Sequence, residues 1–234
     1  MEIEVFTREM EALAPPDLAE PYDEGRIGLV VEGTRPVHRV TVALDATVRV
    51  AERAAALGAD VLVVHHSPLF APVHRVTGET ARLLRVILGA GMHLYVMHTN
   101  FDRAENGIND TLADLLGLSE RHPLPLGLVG RVTIDLDRIA AVVGPLRVHG
   151  PVTRIERLAV VAGSGFDPEL IRAAAELGAD AFLSAELRHH VARESPLLCL
   201  ESTHYALEAP GMRALAERRG WTFIDDPPLL RHYR

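Results

Sequence analysis

Four short clusters in this chain carry imidazole and carboxylate groups in patterns suited to holding a metal ion. They are His65-His66, His98 with Asp102, Glu186 with His189-His190, and His204 with Glu208. Each follows an apolar run, so each is expected to leave the core at a strand end. Val61-Leu62-Val63-Val64 before the first pair is a buried-strand pattern, and Pro68 turns the chain just after it. Strand carboxyl ends in open α/β sheets are where ligands gather. Neighbouring residues of a regular strand face opposite ways, so His65 and His66 cannot both address one ion from a rigid strand. Where the pleat breaks down at a strand end, the pair can serve two adjacent ions. Taken singly, each cluster reads as well as a surface or capping feature. Taken together, the four favour a metal site.

The donor set narrows the metal. Imidazole and carboxylate without thiolate suit zinc, iron, manganese or nickel. Carboxylates can bridge, and paired catalytic ions sit ~3.5–4 Å apart. A structural zinc site would normally use cysteines, and the single Cys199 lies in the apolar run Pro196–Leu200, where it reads as a small buried hydrophobe. His98 and Asp102, like His204 and Glu208, are four residues apart, a spacing that stacks side chains on one helix face. For the second pair a continuous helix is not expected. Pro210 disfavours helical angles at Ala209, which places Glu208 in a turn before a helix that opens at Pro210. Asp45 either lies near the ions or finishes a turn.

Composition removes other chemistries. With 48% hydrophobic and 24% charged residues, the chain of 234 residues has the balance of a globular protein. It contains no lysine, so Schiff bases, phosphate-loop lysines and serine–lysine dyads are excluded. The net charge of −8 disfavours nucleic acid as a partner. No apolar run approaches the ~20 residues of a membrane span. Met1–Phe6 lacks a signal peptide's pattern, and one cysteine suits a reducing compartment, so a cytoplasmic location is expected.

The elements that must position these groups follow in order. A short helix and a loop at Pro15-Pro16 lead to strands at Ile27–Val31 and Arg39–Leu44. Thr47 caps a helix over Val48–Leu57, closed by Gly58. After the Val61–Val64 strand come a helix over Thr80–Leu88, a strand over His93–Met97 and a helix from Asn106 or Asn109 to Leu116. Pro123, Pro125 and Gly127 mark a linker, giving an N-terminal α/β half, 1–124, and a C-terminal α/β half, 125–234. The second half reads as strand Arg157–Ala162, the turn Gly163-Ser164-Gly165, and a helix capped by Asp167-Pro168 and running to Leu177. Strands at Ala181–Leu183, Leu197–Leu200 and Trp221–Ile224 complete it. The glycine turn is either an anion-binding backbone loop or only a connection.

These halves look duplicated. Arg53-Ala54-Ala55-Ala56-Leu57-Gly58-Ala59-Asp60 matches Ala173-Ala174-Ala175-Glu176-Leu177-Gly178-Ala179-Asp180, an offset of 120 residues. At that constant spacing strand Arg39–Asp45 falls on Ala159–Gly165, Thr47 on Asp167, and His66 on Glu186. With a small shift, Gly91–Val96 falls on Gly220–Asp225. The fold expected is therefore α/β, two similar halves with the metal site near their junction.

On these motifs the chain resembles a known family, the Nif-three-like dinuclear metal centre proteins, also called GTP cyclohydrolase 1 type 2 homologues. The matching motifs are Leu44–Thr47, Val64–Phe70, His98-Thr99-Asn100-Phe101-Asp102, Gly107–Asp110, Gly163-Ser164-Gly165, Glu186 with His190, and His204–Glu208 followed by Pro210-Gly211. The resemblance spans nearly the whole chain. It implies His65, His66, Asp102, His204 and Glu208 as ligands of two divalent ions (Zn, Fe, Mn or Ni), Asp102 and Glu208 being the bridges. It implies His98 as a further ligand or a group beside the ions, and Glu186 and His190 as cavity residues with proton-transfer potential. It also implies a toroidal homohexamer. Ser202-Thr203 and Leu207 depart from the family pattern without removing a ligand. The function expected is a metal-dependent hydrolase acting on a nucleotide-like, phosphorylated or cyclic-amidine small molecule. The alternative is a non-catalytic metal-binding hexameric scaffold or regulator with the same ligands.

Overall fold

The β-branched runs seen in the sequence become the centres of two sheets. The computed structural model describes residues 1–151 and 154–230. Along the chain lie α1 (Ile3–Leu13), β1 (Gly28–Val31), β2 (Val40–Asp45), α2 (Val48–Ala56), β3 (Val61–His66), α3 (Gly78–Gly89), β4 (His93–Val96) and α4 (Thr99–Arg103). Then come α5 (Ile108–Leu116), β5 (Ser119–Pro123), β6 (Leu128–Arg131), α6 (Leu136–Val143), β7 (Arg147–His149), β8 (Arg157–Val160), α7 (Pro168–Glu176), β9 (Ala181–Ser184), α8 (His189–Glu194), β10 (Leu198–Glu201), α9 (His204–Arg219) and β11 (Thr222–Phe223). The fold is mixed α/β with two sheets. No helix among the described residues is long and apolar enough to cross a membrane.

The chain divides into two compact units, Met1–Glu105 with Met212–Arg234, and Asn106–Gly211. In the first, the sheet order is β1-β4-β3-β2-β11. Strands β2, β3 and β4 are parallel, and their near-continuous apolar pattern is that of a sheet covered on both faces. Val50, Ala51 and Ala54 of α2 and Leu83 and Ile87 of α3 pack with Leu62, Val64, Leu94 and Val96 in one buried core. Phe6 of α1 meets Tyr95 edge-on and also touches Trp221. Thr47 caps α2 as its sequence indicates, its Oγ1 accepting from Val50 N at 3.0 Å.

In the second unit the order is β5-β6-β8-β9-β10-β7. Its core gathers Val129, Ala159, Val161, Phe166, Ile171, Ala174, Phe182 and Cys199. The Pro123–Gly127 stretch, expected as a linker, is instead the turn of the β5–β6 hairpin, closed by Leu124 N on Gly127 O at 3.0 Å. That hairpin keeps the residues on both sides of 124 and 125 in one sheet.

The duplication appears in pairing as well as sequence. The path β8-α7-β9-α8-β10 retraces β2-α2-β3-α3-β4 with parallel pairing throughout. Antiparallel β1 on β4 and β7 on β10 extend the match backwards. The register corrects the constant spacing at two places. Asp60 Oδ2 accepts from His38 N and Arg39 N at 2.9 and 2.8 Å, while Asp180 Oδ2 accepts from Glu156 N and Arg157 N, both at 2.8 Å. Arg39 and Arg157 each donate to a carbonyl at a helix end, Leu57 O and Leu177 O. Arg39 thus corresponds to Arg157, not Ala159, and the extra residues fall in the Gly163–Gly165 turn. The place of β4 is taken by β10, since Leu198 pairs with Ala181 as His93 pairs with Val61. The strand expected there, near Gly220–Asp225, joins β2 of the first sheet instead.

Candidate metal centre

In the first unit, β3 runs through both histidines, and three imidazoles gather at its end. His65, His66 and His98 each offer a ring nitrogen within 4.8 Å of the others. His65–His66 and His65–His98 ring centroids are 4.9 and 5.1 Å apart. Each ring is held by its Nδ1. His65 is wholly buried and its Nδ1 lies 2.7 Å from Met97 O. A carbonyl only accepts, so this nitrogen carries the proton and Nε2 presents a lone pair. His66 Nδ1 lies 2.7 Å from Asp45 Oδ1, its direct neighbour in the β2–β3 register. His98 Nδ1 lies 2.8 Å from Asp23 Oδ1. Buried Asp102, on the short helix α4, brings Oδ1 to 3.5 Å from His65 Nε2.

Asp23 is the functional residue that sequence reasoning missed. It sits in a single helical turn, Pro21–Asp23, and is fully buried. Burial alone raises its pKa, but hydrogen bonds from the His98 ring and Thr99 outweigh this and hold the carboxyl below its ordinary range. It accepts from both the Thr99 amide and hydroxyl, so it caps α4 while orienting His98. Asn100 Nδ2 on Ala14 O at 2.8 Å and Arg103 on Leu18 O at 2.9 Å strap the same N-terminal segment to α4. Only its carboxylate type pointed to such a role.

In the second unit, His204 Nδ1 lies 2.7 Å from Glu186 Oε1, and its Nε2 lies 2.9 Å from Glu208 Oε2. Contrary to the expectation of a break before Pro210, α9 begins at His204 and carries both residues one turn apart. Thr203 starts it: its Oγ1 accepts from Ala206 N at 3.2 Å and its carbonyl from Leu207 N at 3.2 Å. Pro210 forgoes one N–H bond inside a helix already nucleated upstream. Gly163 lies against this pair. A Cβ there would stand 2.2 Å from Glu208 Oε1 and 3.3 Å from His204 Nε2. The glycine turn is bound internally, Ser184 Oγ donating to Gly163 O at 2.9 Å and accepting from Gly165 N at 2.8 Å. These bonds fit a connection shaped around Glu208 better than an anion loop. His190 is exposed on α8 and makes no hydrogen bond or ion pair with Glu186 or His204.

The donors fit a divalent cation. Four imidazoles have Nδ1 committed to a carboxylate or carbonyl, the arrangement that fixes Nε2 as the ligating atom in histidine metal sites. Buried Asp102 and Glu208 supply anionic oxygen, and no thiolate is nearby, the one cysteine being buried in the second core.

Comparison with known proteins identifies the family. The profile of the Duf34/NIF3 (NGG1p interacting factor 3) family matches residues 1–221. A Methanocaldococcus jannaschii protein named GTP cyclohydrolase 1 type 2 homolog is 33% identical over 223 residues, covering 89% of this chain and 90% of its own. One of the same name from Streptomyces coelicolor is 34% identical over 257 residues, covering 93% and 87%. Among solved structures, reduced HcgD from Methanocaldococcus jannaschii superposes with a TM-score of 0.83 at 29% identity, covering 95% and 96%.

Proposed function

Because the chain belongs to the Duf34/NIF3 family, we propose that it is a metal-dependent hydrolase with His65, His66, Asp102, His204 and Glu208 as ligands of two divalent ions. The observation that carries this reading is the uniform anchoring of the histidines through Nδ1. His98, anchored in the same way by Asp23, is a further donor beside His65 and His66. When bound, a pair of divalent ions polarises a phosphoryl or carbonyl oxygen and lowers the pKa of water towards neutrality. Ligation requires neutral imidazoles and ionised carboxylates, and the chain's own part is to hold each ring by Nδ1 so that Nε2 is the nitrogen offered. Met97 O and Asp45 fix the orientation of the first two rings, and Gly163 leaves room for Glu208.

The name shared by the relatives points to a cyclic-amidine or nucleotide-like substrate. The assembly proposed is a homohexameric ring, which light scattering on the purified protein measures. The decisive experiment is elemental analysis of protein purified without added metal, paired with Asp102→Ala and His66→Ala. Both variants should keep their circular dichroism and lose metal; an unchanged metal load in both refutes the ligand assignment. A turnover screen over nucleotides and phosphoesters with zinc, manganese or iron then separates a hydrolase from a metal-loaded scaffold.

A further inference from the structure

Glu186 is not among the proposed ligands, yet its backbone is unusual. It follows β9 with φ at +63°, in the left-handed region that side chains other than Asn and Asp rarely enter. A glycine there would carry no such strain. Its side chain is 58% exposed, so an isolated surface ion pair contributes too little to account for the choice. What the conformation achieves is a hydrogen bond from His204 Nδ1 to Glu186 Oε1 at 2.7 Å. With a proton held on Nδ1 by Glu186, Nε2, which lies 2.9 Å from Glu208 Oε2, is the nitrogen left to share a cation with that carboxylate. The strand end that launches Glu186 is itself pinned, Ala185 N donating to Gly163 O at 2.9 Å.

The duplication sharpens the point. β3 and β9 occupy matching places in their sheets, and Glu186 stands where the first unit has His66. There the strand end supplies an imidazole, which Asp45 holds. In the second unit the same strand end supplies the carboxylate, and the imidazole comes from α9.

We propose that Glu186 is a positioning residue: it holds His204 in the tautomer and orientation whose Nε2 ligates a cation, and its strained backbone is retained for that task. This rests on the metal-binding reading above. The test uses the full chain and two variants, Glu186→Gly and Glu186→Gln. The readouts are the ¹⁵N imidazole shifts of His204 in metal-free protein, the metal-free thermal midpoint, and zinc affinity measured against a competing chelator. Glu186→Gly should melt no lower than wild type, bind zinc at least about tenfold more weakly, and show His204 as a mixture of tautomers. Glu186→Gln keeps an acceptor oxygen and should lose less. Undiminished zinc affinity in Glu186→Gly, a lowered metal-free midpoint, or an unaltered His204 tautomer overturns the proposal. Wild-type protein that takes up no zinc, manganese or iron overturns the metal reading itself. The tautomer measurement still decides whether Glu186 orients the ring.

Discussion

Replacing Gly163 by alanine strikes the proposed ligands without touching any of them. The added methyl would lie 2.2 Å from Glu208 Oε1, whereas ordinary contact begins near 3.4 Å. The carboxylate must therefore retreat by about 1 Å, beyond the roughly 0.5 Å tolerated in a functional constellation. Glu208 is 3% exposed and fixed on α9, so it has little room to swing aside. Gly163 also has φ at +70°, which adds about 1 kcal/mol of strain for a side-chain-bearing residue. With about 1–3 kcal/mol for overpacking, the loss of stability should reach about 2–4 kcal/mol. Gly117→Ala is the matched control. Its φ is +72°, and nothing lies within 4 Å of the added Cβ. It should cost only about 1 kcal/mol and leave zinc uptake unchanged. Thermal denaturation and zinc titration of both variants read the difference. If Gly163→Ala binds zinc like wild type, or is no less stable than Gly117→Ala, the placement of Glu208 against this turn is wrong.

Three further outcomes are expected. Asp60 is held below its ordinary pKa of 3.8: burial opposes this, but amide bonds from Arg39 and His38 and the nearby Arg35 prevail. Its stabilisation is complete above the unfolded value and lost as pH falls through the lower folded one. Asp60→Asn should therefore be about 1–3 kcal/mol less stable at pH 7 in urea titrations, and the gap to wild type should begin to close near pH 3.8 and vanish only below the lower folded value. Asp23→Asn should cost about 1–3 kcal/mol in the same assay, because a buried acceptor for His98 and Thr99 becomes in part a donor. Cys199 is buried and its thiol is pushed up by that burial, so iodoacetamide should label native protein at least about a hundredfold more slowly than protein in urea.

Much of this arrangement is legible in the residues. Val61–Val64 announces a core strand, Thr47 and Asp167 announce helix starts, and the alanine-rich octamers announce the repeat. The histidine clusters emerge where the strands end, as their positions indicate. What stays hidden is hidden for physical reasons. Asp23 reaches His98 across 75 positions, from a turn without periodicity. Strand β5 is exposed at every residue, so it carries no hydrophobic alternation to distinguish a hairpin from a linker. Strand β11 is two residues long, and neither sheet could claim it from sequence. The early start of α9 was readable: Thr203 is a capping residue, and its signal competed with Pro210 and won.

The return of β11 to β2 has a temporal consequence. The first unit is written in two pieces, Met1–Glu105 and the stretch from Met212 onward, with the whole of the second unit encoded between them. During synthesis the ribosome must release every residue up to Gly211 before the edge of the first sheet can close. The later-encoded body can thus finish folding first, while the earlier one waits, its β2 flank open, for Thr222 and Phe223.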